Sequence, residues 1–266
     1  MQRCLVILNQ PDQADVLLHM AAQVMARVNG SRMDVLAARA PVEDGGGEPE
    51  GATGTSQKDW AEGLHVTYRT WLVKQYGAPA NRLDRLEVNW LDPVITVDGV
   101  VSAFARDADI LIMGFPGPKD SAHKRQLAQA LVFRTGQPVL LVPPFWDRPS
   151  GDHVLLAWKE TGCCRRAFEA AAAFLPGARE IDVIVPPGQA LPPDVLPGFS
   201  ATRRELAVHG GGKAAIGQAL LDTAHNLHAD MLVMGGYEHG MLYSRLMGSV
   251  TDYILAHPEI PVLLRH

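Results

Sequence analysis

The chain has 266 residues, enough for two small domains or one large one. With 47% hydrophobic, 20% charged and 6% aromatic residues it has the composition of a packed globular protein, which excludes a disordered, fibrous or disulfide-stapled chain. A formal net charge of −5 leaves no basic field to attract a nucleic acid backbone or an anionic membrane, so neither is expected as a partner.

Cysteine usage points the same way. Cys4, Cys163 and Cys164 are too few for a disulfide framework and lack metal-ligand spacing, which fits a reducing cytoplasm and no metal site. The amino-terminal apolar run meets Pro11-Asp12-Gln13 in place of a long apolar core and a small-residue cleavage site. No stretch of about 18 uninterrupted apolar residues occurs either, so the expectation is a chain that is neither secreted nor membrane-spanning.

In chain order, apolar runs alternate with longer amphipathic or alanine-rich stretches, the pattern of β-α units on a parallel sheet. Strands are expected at Leu5–Leu8, Met33–Ala37, Arg85–Asn89, Ile110–Gly114 and Val139–Val142. Helices fall between them at Gln13–Val28, Asp59–Tyr76, Ile95–Arg106 and Lys124–Phe133. The pattern then starts again, with strands at Val154–Trp158, Ile181–Val185, Thr202–Val208, Met231–Gly235 and Val262–Leu264. Its helices are Cys163–Phe174, Ala215–Leu227 and Met247–Ala256.

The restart is a repeat. Ala108-Asp109-Ile110-Leu111-Ile112-Met113-Gly114 is echoed by Ala229-Asp230-Met231-Leu232-Val233-Met234-Gly235, and Pro138-Val139-Leu140-Leu141-Val142 by Pro261-Val262-Leu263-Leu264-Arg265. The expected architecture is therefore two tandem α/β domains of five parallel strands each, Rossmann-like, covering residues 1–147 and 151–266. Two segments interrupt the scheme. Pro41–Gln57, with Gly45-Gly46-Gly47 among acidic and small residues, reads as a mobile loop. Pro186–Ser200 carries five prolines and no helical period, so the second repeat is expected to have lost or shortened its second helix.

In open α/β sheets ligands sit beyond the carboxyl ends of the strands, where glycine turns lead into helix N-termini. In the second repeat that place reads Gly235-Gly236-Tyr237-Glu238-His239-Gly240, followed by Gly248-Ser249-Val250 at the start of the last helix. The glycines allow close backbone approach and the helix start offers N–H donors and a hydroxyl, which suits a phosphate; the same glycines also serve simply to shape a turn. Other features carry less. His209-Gly210-Gly211-Gly212-Lys213 lacks the first glycine and the final hydroxyl of a Walker A loop and reads as a strand-to-helix turn. His225 and His228 read as surface histidines, and Cys163-Cys164 as small buried side chains.

Two tandem repeats, each with an Ala-Asp-(Ile/Met)-Leu-(Ile/Val)-Met-Gly strand and a closing Pro-Val-Leu-Leu strand, and with Gly248-Ser249-Val250-Thr251 before the last helix, resemble the universal stress protein family over nearly the whole chain. The resemblance implies domains that pair through their last strands and, in some members, ATP binding by Gly-x2-Gly-x9-Gly-(Ser/Thr). Gly235 matches the first glycine, His239–Met247 keep the spacing, and Gly248-Ser249 match the end, whereas Glu238 stands at the second glycine. ATP-binding members also end the first strand in an aspartate; here Lys159-Glu160-Thr161 follow, so Lys159 and Thr161 join the site residues, with Lys159 facing either a phosphate or solvent.

A carboxylate about 4 Å from a phosphate charge costs on the order of 4 kcal/mol, so ATP is expected to bind weakly or not at all. In the first repeat Gly114-Phe115-Pro116-Gly117 keep the opening glycines, but Arg125-Gln126 replace Gly-Ser and the first strand ends at Asn9, so this half is expected to be mainly structural, with Lys124 and Arg125 as a solvated face or, alternatively, an anion contact. The expected function is a cytoplasmic stress protein without a catalytic residue, binding a nucleotide or small anion in its second half. The alternatives are an interaction scaffold with both sites degenerate, and a slow ATP hydrolase using Glu238 or His239. The two Pro-Val-Leu-Leu strands are expected to associate as an intramolecular pseudo-dimer, since unpaired apolar edges need cover, and a homodimer is the further partner considered.

Overall fold

The computed structural model describes residues 1–41, 56–76, 82–83, 85–116, 122–192, 194–196, 198–236 and 250–266. Two compact units divide the chain, Met1–Gln137 and Pro138–His266. Each is an α/β unit in which most of the parallel strands are joined to the next by a helix, as the alternating apolar runs require.

In the first unit the elements are β1 (Arg3–Ile7), α1 (Ala14–Arg27), β2 (Arg32–Leu36), α2 (Gln57–Tyr76), β3 (Arg82–Leu83), β4 (Leu86–Leu91), α3 (Val97–Val100), β5 (Ile110–Gly114) and α4 (Ala122–Arg134). The strand order is β3-β4-β2-β1-β5, parallel except for β3, which adds antiparallel to β4. Cys4, Leu5, Val6 and Ile7 are all fully buried in succession, the mark of a strand covered on both faces. The helix expected over Ile95–Arg106 forms from Val97, capped by the Thr96 hydroxyl on Gly99 N–H, and widens into a π turn over Val101–Ala105.

The second unit comprises β6 (Val139–Val142), β7 (His153–Ala157), α5 (Gly162–Ala171), β8 (Glu180–Val185), β9 (Thr202–Glu205), α6 (Lys213–Asn226), β10 (Met231–Gly235), α7 (Val250–Ala256) and β11 (Val262–Arg265). Its order is β6-β11-β10-β7-β8-β9, parallel apart from the first pair. There β6 runs antiparallel to β11, with Leu141 opposite Val262, Leu140 opposite Leu263 and Val139 opposite Leu264. The two Pro-Val-Leu-Leu strands therefore cover each other, and this pairing draws β6 into the second compact unit.

Among the described residues of 186–200 there is no helix, as the prolines require. Strand β9 is shorter than the expected Thr202–Val208. It stops at Glu205, paired with Val185, because the next residues on the partner side are Pro186 and Pro187, which have no N–H for the ladder. Of the glycine-rich segment expected as a loop, residues 42–55 lie outside the described residues, and Gln57 is the first residue of α2.

The repeated Ala-Asp motif has a structural task in each unit. Asp109 accepts the N–H groups of Gln2 at 2.6 Å and Arg3 at 2.9 Å, and its own N–H donates to Arg3 O at 2.8 Å. Asp230 accepts from Gly151, Asp152 and His153 at 2.6, 3.0 and 3.1 Å and donates to His153 O at 3.0 Å. Each aspartate so ties the start of its unit's first strand to the strand beside it.

A second matched pair lies deeper, Asp34 opposite Leu5 and Asp182 opposite Leu155. Fully buried Asp34 is held by Arg3 Nε and Arg32 Nε, both at 2.9 Å, and by Asn89 Nδ2 at 3.0 Å. For Asp182 the partners are Arg204 Nε at 2.6 Å and His153 Nε2 at 2.7 Å. Buried carboxylates persist here because cations and amide donors replace their water.

Candidate functional site

Beyond the carboxyl ends of β7, β8 and β10 the second unit contains a cleft of about 670 Å³, within the range of small-molecule sites. Its lining includes Ala157, Met234 and Cys164 from the strand ends and α5, and Leu220 and Ile216 from α6. Ile184, Pro186, Pro187, Leu206 and Val208 add further apolar surface. Gly235, Gly236, Val250 and Thr251 also line it, and Lys159 and Lys213 bring two cations to the lining.

Local sequence explains this shape. Thr161 caps α5 by accepting the Cys164 N–H at 3.2 Å, which starts the helix directly beneath the β7 loop. The Cys164 thiol donates to Ala157 O at 3.0 Å and accepts the Lys159 N–H at 3.3 Å, knitting the loop to the helix. Burial pushes this thiol above the ordinary range, partly offset by the N–H groups of Lys159 and Gly235, so it stays protonated and is no nucleophile at neutral pH.

Gly235 is packed tightly against the same helix start: a Cβ there would sit 2.7 Å from Cys164 N. No such crowding surrounds Gly236, whose added Cβ would meet Arg265 O at 3.6 Å. The proline-rich segment is held by Arg165, which pairs with Glu160 at 2.8 Å and Asp194 at 2.9 Å, and by Arg203, which donates to Gln189 O at 2.8 Å.

The corresponding edge of the first unit encloses only about 10 Å³. There the side chain of Gln13, buried and bonded to Gln10, lies directly against Gly114, where an added Cβ would meet its Oε1 at 2.0 Å. Phe115 is buried beside it. Lys124, expected to be a solvated charge, donates to Asn9 O and lies over the Trp60 ring of α2, 5.0 Å from its centroid. It closes the end of β1.

Of the expected site residues, Lys159, Thr161, Gly235, Gly236 and Val250 are brought together on the cleft. Tyr237, Glu238, His239, Gly248 and Ser249 lie outside the described residues. Sequence reasoning missed Ile184, Val208, Lys213 and Ile216. The turn at 209–213 leads into α6, as expected, with Gly212 at φ 87° before Lys213, and it also brings Lys213 to the cleft. His225 and His228 are exposed and stand outside the cleft. The described lining offers apolar side chains, the Trp158 indole, the Gln189 carboxamide, two ammonium groups, hydroxyls and a thiol, and no carboxylate or imidazole.

Such a molecule is a pair of parallel α/β units with a ligand-sized cleft at the carboxyl edge of one of them. Residues 207–266 match the family model described as the Universal stress protein family. The fold is similar to that of a universal stress protein from Archaeoglobus fulgidus DSM 4304, at 14% identity and a TM-score of 0.65, covering 99% of this chain and 97% of that one. A putative universal stress protein from Pseudomonas aeruginosa UCBPP-PA14 is similar at 18% identity and a TM-score of 0.57, over 100% and 93% of the two chains. A functionally unknown protein from Pseudomonas aeruginosa PAO1 gives 17% and 0.56, over 100% and 92%. No curated protein sequence matches the chain. The second unit thus matches that family over residues 207–266, and the whole chain shares its fold with these three structures. No helix among the described residues is long and apolar enough to cross a membrane.

Proposed function

We propose that this chain is a universal stress protein acting in the cytoplasm as a binding protein, taking an anionic small molecule into the cleft of its second unit without a chemical step. The observation that carries the reading is the asymmetry of the two carboxyl edges, about 670 Å³ open in one unit against about 10 Å³ in the other. Lys159 and Lys213 give the open edge its anion preference, and the described lining supplies no general base. ATP is a weak ligand on this reading. Glu238 replaces a glycine of the family's nucleotide motif, and Lys159-Glu160 stand where ATP-binding members carry an aspartate.

Calorimetry on the full chain, stripped of bound nucleotide, tests this with ATP, inorganic triphosphate and a carboxylate series. Weak ATP binding that tightens at least tenfold in Glu238→Gly is the expected result. Failure of every anion to bind would remove the reading. Magnesium-dependent phosphate release that disappears in His239→Ala would replace it with a hydrolase.

A further inference from the structure

The proline-rich segment without a helix among its described residues begins on the cleft. Pro186 and Pro187 line it together with Ile184, Leu206, Val208 and Ile216, so much of the lining is apolar. Val208 and Ile216, 39% and 36% exposed, are two of only three exposed large hydrophobics among the described residues of this unit. Apolar surface left in water at a concave place is surface that a ligand can cover with gain.

Among the neutral polar side chains on the lining are Thr161, Cys164, Gln189 and Thr251, and two of these already serve the backbone, the Thr161 hydroxyl at the Cys164 N–H and the Cys164 thiol at Ala157 O. A heteroaromatic base must match several hydrogen-bonding groups on entering, whereas a hydrocarbon chain has none to match. The charged groups on the described lining are both cationic.

We infer that the cleft binds a single-chain amphiphile, its hydrocarbon tail against Ile184, Pro186, Pro187, Val208 and Ile216 and its anionic head, a carboxylate or phosphate, at Lys159 and Lys213. This inference rests on the reading of the cleft as an anion site and specifies the body that the anion carries.

The test is calorimetry on the full chain with octanoate, decanoate and dodecanoate below their micelle concentrations, beside dodecyl phosphate, dodecanol and ATP. Each two-carbon extension should tighten binding roughly tenfold, at about 0.8 kcal/mol per buried methylene. Dodecanol should bind several-fold more weakly than dodecanoate, and the double variant Lys159→Gln, Lys213→Gln should abolish that difference. Comparison of dodecanoate with dodecyl phosphate identifies the preferred head. Ile216→Ser, at an exposed position, should reduce the chain-length increment without unfolding the protein.

Location is read from the methyl resonances of Ile184 and Ile216, which line the cleft, against that of Ile7 in the first unit, which does not. Dodecanoate should shift the first two and leave Ile7 unchanged. Affinity independent of chain length, or binding without a shift at Ile184 and Ile216, overturns the inference. ATP or triphosphate binding with no acyl binding overturns it while leaving the anion site standing. No binding by any anion removes both.

Discussion

The two units agree at their amino edges and differ at their carboxyl edges. Asp109 and Asp230 hold the first strand of each unit by backbone N–H groups, and Asp34 and Asp182 occupy the same register position with cationic partners. At the other end Gln13, Phe115 and Lys124 close the first unit, while the second has a cleft. The repeat is thus kept where it maintains the sheet and lost where a ligand would sit. Trp60 of α2 lies beneath Lys124 in the first unit, and the second unit has no helix among the described residues of 186–200.

The shared amino edge is where substitution should cost most. Removing Asp34 strands two guanidinium groups and an amide, and Asp34→Ala should lose about 3 kcal/mol of stability after allowing for the partial exposure of Arg3 and Arg32. Asp182→Ala strands Arg204 and the ring of His153 and should lose about 2 kcal/mol. Urea denaturation measures both. A loss under about 0.5 kcal/mol for either would mean that the matching aspartates are not structural counterparts.

Next in size is the pair of glycines that end β5 and β10. Gly235→Ala drives a Cβ into the backbone of Cys164, which cannot move without shifting α5, and should cost about 2 kcal/mol. In Gly114→Ala the Cβ meets the end of the Gln13 side chain, which can rotate away, so the loss should stay under about 1 kcal/mol. Gly236→Ala, whose added Cβ would reach only ordinary contact distance from Arg265, should be neutral within about 0.5 kcal/mol. Equal losses at Gly114 and Gly235 would show that the Gln13 plug is as rigid as a helix backbone. Differential scanning fluorimetry on the three variants decides it.

Much of this was legible in the sequence. The apolar runs mark the parallel strands, the echoed Pro-Val-Leu-Leu strands pair as expected, and the prolines of 186–200 announce the absent helix. The two-residue β3 has no periodicity to reveal it. Local pattern also could not show that Gln13 would reach Gly114, because the contact joins residues far apart in the chain. Gly235 stood out as a motif glycine, but its tight neighbour is a helix start of the same unit, a demand invisible until β10 and α5 are packed. Val208 and Ile216 were hidden for a different reason: they flank a turn, and only the early end of β9 leaves them facing the cleft.

The smallest expected effect separates the two aspartates that otherwise match. Burial pulls the Asp109 carboxyl upward, but the N–H groups of Gln2 and Arg3, the amino terminus and the Arg3 guanidinium outweigh it and hold the group below the ordinary carboxylate range. Burial also acts on Asp230, where it wins over the N–H groups of His153, Gly151 and Asp152 and raises the group. A lowered carboxylate contributes stability that is complete above its unfolded value near 3.9 and disappears as pH falls through its folded value. A raised one does the reverse, favouring the fold while protonated and losing that contribution as pH climbs from about 4 through its folded value. Asp109→Asn should therefore flatten the loss of stability in acid, whereas Asp230→Asn should remove a decline on the way to neutral pH, so that its stability rises more steeply with pH than that of the parent. Thermal midpoints of the three proteins between about pH 3 and pH 7 show the two slopes, and slopes of the same sign would mean that the three N–H donors at Asp230 outweigh its burial as the donors at Asp109 do.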